Sequence, residues 1–271
     1  MSKLFNLFSE SELYTIKWTN YFKIYETLFS EFIGKPITFV EIGVLDGGSL
    51  LMWREYFGPA ARIIGIDNNP KCKDLEKLGG FEILIGDQSD QEFWMKLKNN
   101  ISIDILLDDG GHTNKQQIIS TIYSIDLINE GGMIVIEDTH SSYMKEYGNP
   151  SKYSFIEYCK NMVDDINSRF TKSPKSIIQS SVHSIQFFES IVCFRISRKD
   201  SIQNKKVANK QKNDMTDYRY NKNKAIKILT TLREISFPLI RKIKIFNKVM
   251  PNPHYFVMKF QNKRLARYFK N

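Results

Sequence analysis

Long apolar runs are missing from this chain. No stretch approaches the roughly 20 residues that span a bilayer, so a helical membrane span is not expected. The opening Met1–Ser11 carries a short apolar patch with neither a basic leader nor a cleavage site, so it reads as no secretory signal and a cytoplasmic protein is expected. Cysteine is scarce: Cys72, Cys159 and Cys193 are widely spaced and form no C-x-x-C pair, which argues against a zinc knuckle or a disulfide framework and leaves free thiols. No G-x-G-x-x-G follows the first strand, which argues against a nicotinamide enzyme.

What is present is an ordinary globular composition, 42% hydrophobic and 25% charged over 271 residues, enough for a substantial core in one or two domains. The net charge of +9 hides an asymmetry. Residues 1–200 carry 21 Lys/Arg against 27 Asp/Glu, a net of −6, whereas residues 201–271 carry 18 against 3, a net of +15. The basic character belongs to the tail.

Buried-type strands and helical spacings alternate along residues 1–200. Tyr14–Phe32 places Ile16, Tyr21, Ile24, Tyr25, Leu28 and Phe32 at helical spacing, which predicts one or two helices. Lys35-Pro36 then launches ITFVEIGVLDGGSLLMW, a strand, a glycine-bearing turn and a helix from about Ser49. Gly43, Gly47 and Gly48 are expected to let the backbone approach a ligand, since no Cβ stands in the way. Ala61–Pro70 is a second strand ending in Asp67, 26 residues after Glu41, where nucleotide-binding folds place an acid for ribose hydroxyls. Phe81–Asp90 is a third, ending in Asp87-Gln88, with Asp90 capping a helix over Gln91–Lys98.

The fourth and fifth strands carry the strongest signal. Ile103–Asp108 runs into Asp109-Gly110-Gly111-His112, and after a helix over Lys115–Ile128 closed by Gly131-Gly132, MIVIED ends in Glu137-Asp138. Carboxyl ends of neighbouring parallel strands meet at one rim, where such folds bind ligands. Helix capping accounts for one acid per strand; two per strand beside a histidine point to a hard divalent cation next to a base. Phe155–Arg169 reads as a further helix, and Ser181–Phe194 as two strands around Glu189-Ser190, a hairpin closing a doubly wound α/β sheet.

These residues resemble the class I S-adenosylmethionine-dependent methyltransferases, and within them the metal-dependent sugar O-methyltransferases of macrolide and rhamnosyl substrates, a group that includes proteins labelled cephalosporin hydroxylase. The resemblance covers about Trp18 to Ser197 and rests on KWTNYFKIYETLF, VEIGVLDGGSLLMWREYFGP, the D-G-x-H of Asp109–His112, VIED and IQFFESIVCF. It implies a Rossmann-like sheet of seven strands with a terminal antiparallel hairpin. It implies further that Asp109, Glu137 and Asp138 hold a divalent ion, with magnesium foremost, and that His112 is the general base beside catalytic Asp109. Glu41, Gly43, Gly47 and Ser49 would line the methionine end of the S-adenosyl-L-methionine, Asp67 the ribose and Asp87-Gln88 the adenine. Asp108 would face the cofactor or the metal. Gly111 departs from the serine that relatives often carry.

Methyl transfer to an unactivated hydroxyl needs alignment and a better nucleophile. A divalent cation lowers the acceptor's pKa and orients it, while a histidine, with an ordinary pKa of ~6.5, can take the proton. Oxygen ligation favours magnesium, calcium or manganese. His140 is a rival base. Trp18, Tyr21 and Tyr143 are candidates to meet a saccharide or glycoconjugate acceptor.

Residues 201–271 form a second region. Lys205–Lys224 reads as a polar linker, followed by helical spacing over Ala225–Phe237 and Pro238–Val249 with basic and apolar residues interleaved. A basic amphipathic tail suits an anionic membrane surface, here the inner face of the membrane; docking on its own domain or on a homo-oligomer partner is the alternative, and nucleic acid ranks last because no RNA-binding motif is present. The rival readings of the whole are an inactive scaffold whose tail recruits partners and, by label alone, a hydroxylase, which would need a two-histidine iron site that this constellation lacks.

Overall fold

The computed structural model describes residues 3–98, 100–170, 174–202, 204–209 and scattered positions between 224 and 268. The chain divides into two units, Met1–Lys206 and Val207–Asn271.

In the first unit, seven strands form one sheet: β1 (Thr38–Ile42), β2 (Arg62–Asp67), β3 (Glu82–Ile85), β4 (Ile103–Asp108), β5 (Ile128–Ile136), β6 (Val182–Phe188) and β7 (Ile191–Ile196). Their order is β3-β2-β1-β4-β5-β7-β6, the first five parallel and β7 antiparallel to both of its neighbours. The helices are α1 (Lys3–Ser9), α2 (Tyr21–Phe29), α3 (Gly48–Phe57), α4 (Gln91–Leu97), α5 (Asn114–Ser124), α6 (Phe155–Ser168) and α7 (Ile177–Ser181). The reversal of strand order between β1 and β4 creates the crevice in which such sheets hold ligands.

Alternation along the strands splits the core. Phe39, Ile63, Ile105, Leu107, Met133 and Val135 pack with α1, α2 and α3, whereas Val40, Ile64, Leu106, Ile134 and Ile136 pack on the opposite face with α4 and α6. The first face is aromatic. Trp53 stands 5.2 Å from Tyr25, 5.6 Å from Phe29 and 5.0 Å from Phe39, ring centre to ring centre, all buried.

Three sequence expectations change here. Helix α2 begins at Tyr21, not Tyr14; residues 14–18 have no regular secondary structure, and Ile16 is exposed because the helical spacing that included it was fortuitous. Gly131-Gly132 does not end a helix: α5 stops at Ser124, and the glycines lie inside β5, which pairs from Ile128 through a register shift. Gly132 fits because a Cβ there would press on the Asp104 carbonyl at 2.6 Å. Helices α1 and α7 are additions that their short spans concealed. The hairpin turns at Glu189-Ser190 as expected, with Ser190 in the left-handed region.

Of the second unit, Lys224, Lys227, Ile228, Thr231, Leu232 and Ile235 are helical and exposed. The helix expected over Pro238–Val249 lies outside the described residues. Among the described residues no helix is long and apolar enough to cross a membrane.

Candidate active site

The carboxyl ends of β1 to β5 open into one pocket of about 880 Å³, an ordinary size for a small-molecule site. One end is lined by Gly43, Ser49, Asp67, Asp87 and Gln88, the other by Asp109, His112, Glu137 and Asp138, with Tyr14–Trp18 and Tyr21 alongside.

Strand parity decides which acid of each doublet faces the helices α2 and α3. Side chains alternate along a strand, so Asp109 follows Leu107, and Glu137 follows Val135, onto that face. Glu41 shares it, two residues after Phe39. Asp108 falls on the other side and is 1% exposed. Gln88 Nε2 donates to both of its oxygens at 2.9 Å, Gly110 N–H at 3.1 Å, and the Ser120 hydroxyl also donates. Burial pushes the Asp108 carboxyl up and these hydrogen bonds oppose it. Asp108, expected to face cofactor or metal, is instead a strut beneath the D-G-G-H loop and does not line the pocket. Gln88 serves the same strut, its Oε1 accepting from Gly111 N–H at 2.9 Å.

At the first end, Asp67 accepts from Val44 N–H at 2.9 Å and Asn69 N–H at 2.8 Å, which fixes its carboxylate at the tip of β2. Exposed Asp87 accepts from Ser89 N–H at 2.7 Å. Glu41 is buried behind the pocket wall, where the Ser49 hydroxyl donates to it at 2.6 Å. Burial raises the Glu41 carboxyl against the pull of Lys17. Gly43 lines the pocket and has a second reason to be glycine: a Cβ there would lie 2.2 Å from the Asp109 carbonyl oxygen, so its absence lets two strand ends close on each other. Gly47, left-handed at φ +85°, does not line the pocket; it starts α3.

At the second end, the Tyr25 hydroxyl donates to Glu137 Oε1 at 2.5 Å, and the Lys17 ammonium lies 3.2 and 3.3 Å from the two Glu137 oxygens. Burial first, then Asp109, push the Glu137 carboxyl well up. Asp138 would point to the opposite face, but its left-handed backbone (φ +52°) swings it to the pocket. His112 is left-handed too (φ +56°), and its Nε2 stands 3.3 Å from Asp138 Oδ2. Such conformations in non-glycine residues cost on the order of 1 kcal/mol and concentrate at functional sites; here they fall on two residues whose side chains meet. Asp109, His112 and Asp138 each offer a ligand atom within 4.8 Å of the others. His112 Nδ1 is buried without a hydrogen-bond partner.

Tyr21 and Trp18 both anchor Asp138, the hydroxyl at 2.5 Å and the indole N–H at 3.2 Å. His140 sits beyond Asp138, 3.8 Å from it, with Nδ1 2.5 Å from Ser190 Oγ. Neither His140 nor exposed Tyr143 lines the pocket. Sequence reasoning missed Lys17 and the role of the Tyr25 hydroxyl, because residues 14–32 were read for helical spacing, which counts Tyr25 as an apolar position and gives Lys17 no place. Gly111, where a serine was looked for, leaves room for Gln116: a Cβ would meet that amide at 2.3 Å.

A seven-stranded sheet in this order, with a pocket at the carboxyl edge, is the fold of the S-adenosylmethionine-dependent methyltransferases. Among solved structures it is similar to the MycE methyltransferase of mycinamycin biosynthesis in complex with Mg, SAH and mycinamycin VI, with a TM-score of 0.66 at 24% identity over 78% of this chain and 57% of that one. No family model matches the chain. It is 31% identical over 165 residues to the 8-demethyl-8-alpha-L-rhamnosyl tetracenomycin-C 2'-O-methyltransferase of Streptomyces olivaceus, covering 56% of this chain and 43% of that protein. It is also 31% identical over 132 residues to the mycinamicin VI 2''-O-methyltransferase of Micromonospora griseorubida, covering 46% and 32%. The chain thus spans less than half the length of these curated relatives.

Proposed function

We propose that this protein is an S-adenosylmethionine-dependent, divalent-cation-assisted O-methyltransferase acting on a sugar hydroxyl of a glycan, glycolipid or glycosylated metabolite. The observation that carries the reading is the meeting of Asp109, His112 and Asp138 at one end of a pocket whose other end is walled by Asp67 and Asp87. That wall fits an adenosyl donor: two carboxylates at the tips of β2 and β3 suit hydroxyl and amino donors. The oxygen-rich second end fits a hard cation, and Lys17 stands there as a cation of the protein's own. Asp109, Glu137 and Asp138 would hold a magnesium-type ion, which when bound would lower the pKa of the acceptor hydroxyl.

The chain's own residues do the rest. His112 takes the hydroxyl proton at Nε2, the ring nitrogen beside Asp138, so the imidazolium is born next to a carboxylate. Tyr21 and Trp18 hold Asp138 in place for that pairing. Trp18, 59% exposed at the mouth, offers an aromatic face to a sugar. In the second unit, Ile228, Leu232 and Ile235 recur at helical spacing among lysines and are exposed. This supports a tail that adsorbs to an anionic membrane surface from the cytoplasmic side and brings the enzyme to lipid-linked acceptor.

Calorimetry with S-adenosylhomocysteine, followed by turnover on nucleotide-sugar and lipid-linked glycans with and without EDTA, tests the reading. Donor-product binding, EDTA-sensitive turnover and its loss in Asp109→Ala are expected. Turnover undiminished by exhaustive EDTA sinks the metal-assisted mechanism, and absence of donor-product binding sinks the enzyme.

A further inference from the structure

The acidic end of the pocket already holds a cation. Lys17 Nζ lies 2.5 Å from Asp109 Oδ2, 3.2 Å from Glu41 Oε1, and 3.2 and 3.3 Å from the two oxygens of Glu137, and its side chain is 1% exposed. Four oxygens from three carboxylates around one nitrogen resemble the shell of a bound ion more than a surface salt bridge. The ammonium arrives on residues 14–18, which lie outside any helix or strand and carry exposed Tyr14, Ile16 and Trp18 along the pocket. That strap is tethered where Leu13 closes on Gly48, whose missing Cβ would sit 2.4 Å from the Leu13 carbonyl oxygen, and by the Trp18 hydrogen bond to Asp138. Lys17 is its deepest anchor.

An ion shared by Asp109 and Glu137 needs the space the ammonium fills. Magnesium sits about 2.1 Å from its oxygens, and a second positive charge at contact distance on the same carboxylates would be strongly repelled. We propose that Lys17 is a displaceable internal counter-ion: it occupies the seat between Asp109 and Glu137, a divalent cation competes for that seat, and displacement frees residues 14–17 of the strap beside the donor pocket while Trp18 stays on Asp138. The proposal rests on the divalent-cation reading above. It makes Lys17 a positioning residue that sets metal affinity and couples metal loading to access.

The full chain tests this with Mn²⁺ as probe, followed by electron paramagnetic resonance, and S-adenosylhomocysteine binding as the check of folding. Lys17→Met is expected to bind Mn²⁺ roughly tenfold more tightly or better, because a site whose competent form is a minor population loses apparent affinity by that fraction. Lys17→Arg, which keeps the charge, is expected to stay within about threefold of wild type. In the unaltered protein, amine acetylation of Lys17 read by peptide mass spectrometry is expected to rise as Mn²⁺ is added, which needs no variant to fold. Equal or weaker Mn²⁺ binding by a Lys17→Met chain that retains S-adenosylhomocysteine binding, or acetylation that Mn²⁺ leaves unchanged while it binds, overturns the proposal alone. Absence of Mn²⁺ binding in wild type and Lys17→Met alike, with S-adenosylhomocysteine still bound, overturns the divalent-cation reading with it.

Discussion

Glu137 shows how little a residue's type says before its neighbours are known. It is buried, receives hydroxyl and ammonium hydrogens on the same oxygen, and shares its cation with Asp109 and Glu41. A carboxylate so placed is tolerable only because partners surround it, since an unpaired buried charge costs several kcal/mol. His112 is the opposite case: 23% exposed at the side chain, it has Asp138 3.3 Å from Nε2, Asp109 close by and a left-handed backbone, and the base role proposed for it turns on that exposure. Replacing it in His112→Asn is therefore expected to lower kcat by about 10²-fold or more while S-adenosylhomocysteine affinity, measured by calorimetry, stays where it was. A matched loss of donor-product binding would instead make His112 a structural residue of the loop.

The elements work as rigid presenters of their last residues. β1, β4 and β5 align Ile42, Asp108 and Ile136 in one row, so that the residues just beyond them emerge side by side. The row closes tightly because Gly43 has no side chain to strike the Asp109 carbonyl. Gly43→Ala adds a Cβ against backbone at a left-handed position, and the expected cost is about 2 kcal/mol or more. Urea unfolding should register it as a lower midpoint at unchanged slope; a midpoint equal to wild type would show that the strand ends have slack. Helix α2 contributes through its aromatic face, and Tyr21 and Tyr25, one turn apart, send their hydroxyls to Asp138 and Glu137. Ile16 fell into helical spacing with Tyr21 by chance, so a helix was expected over residues 14–18, which have no regular secondary structure, and that periodicity gave Lys17 no role.

For the molecule as a whole, opposite charges are carried by separate regions: an acidic fold and a tail in which Lys and Arg outnumber acids 18 to 3. Each basic side chain near an anionic leaflet contributes on the order of 1 kcal/mol, and salt screens it. The full chain is accordingly expected to co-sediment with phosphatidylserine vesicles at low salt and to leave them at high salt, while neutral phosphatidylcholine vesicles fail to carry it. Sedimentation indifferent to lipid charge would assign the tail another partner.

The alternation of apolar runs and helical spacings, the acid doublets that end β4 and β5, and the hairpin at Glu189-Ser190 were all readable from the chain, because strand burial and turn chemistry are local properties. So was the likeness to methyltransferases, carried by D-G-G-H and VIED. Which acid of each doublet faces α2 and α3 was not, since parity relative to those helices depends on which face they cover; that assigned Asp108 to a strut and Glu137 to the Lys17 seat. Nor was the lysine itself, which lies 92 residues from Asp109 and 120 from Glu137 along the chain and reaches them only because the strap folds across the sheet edge. Long-range convergence of charge is a property of packed strands and helices, and no local pattern encodes it.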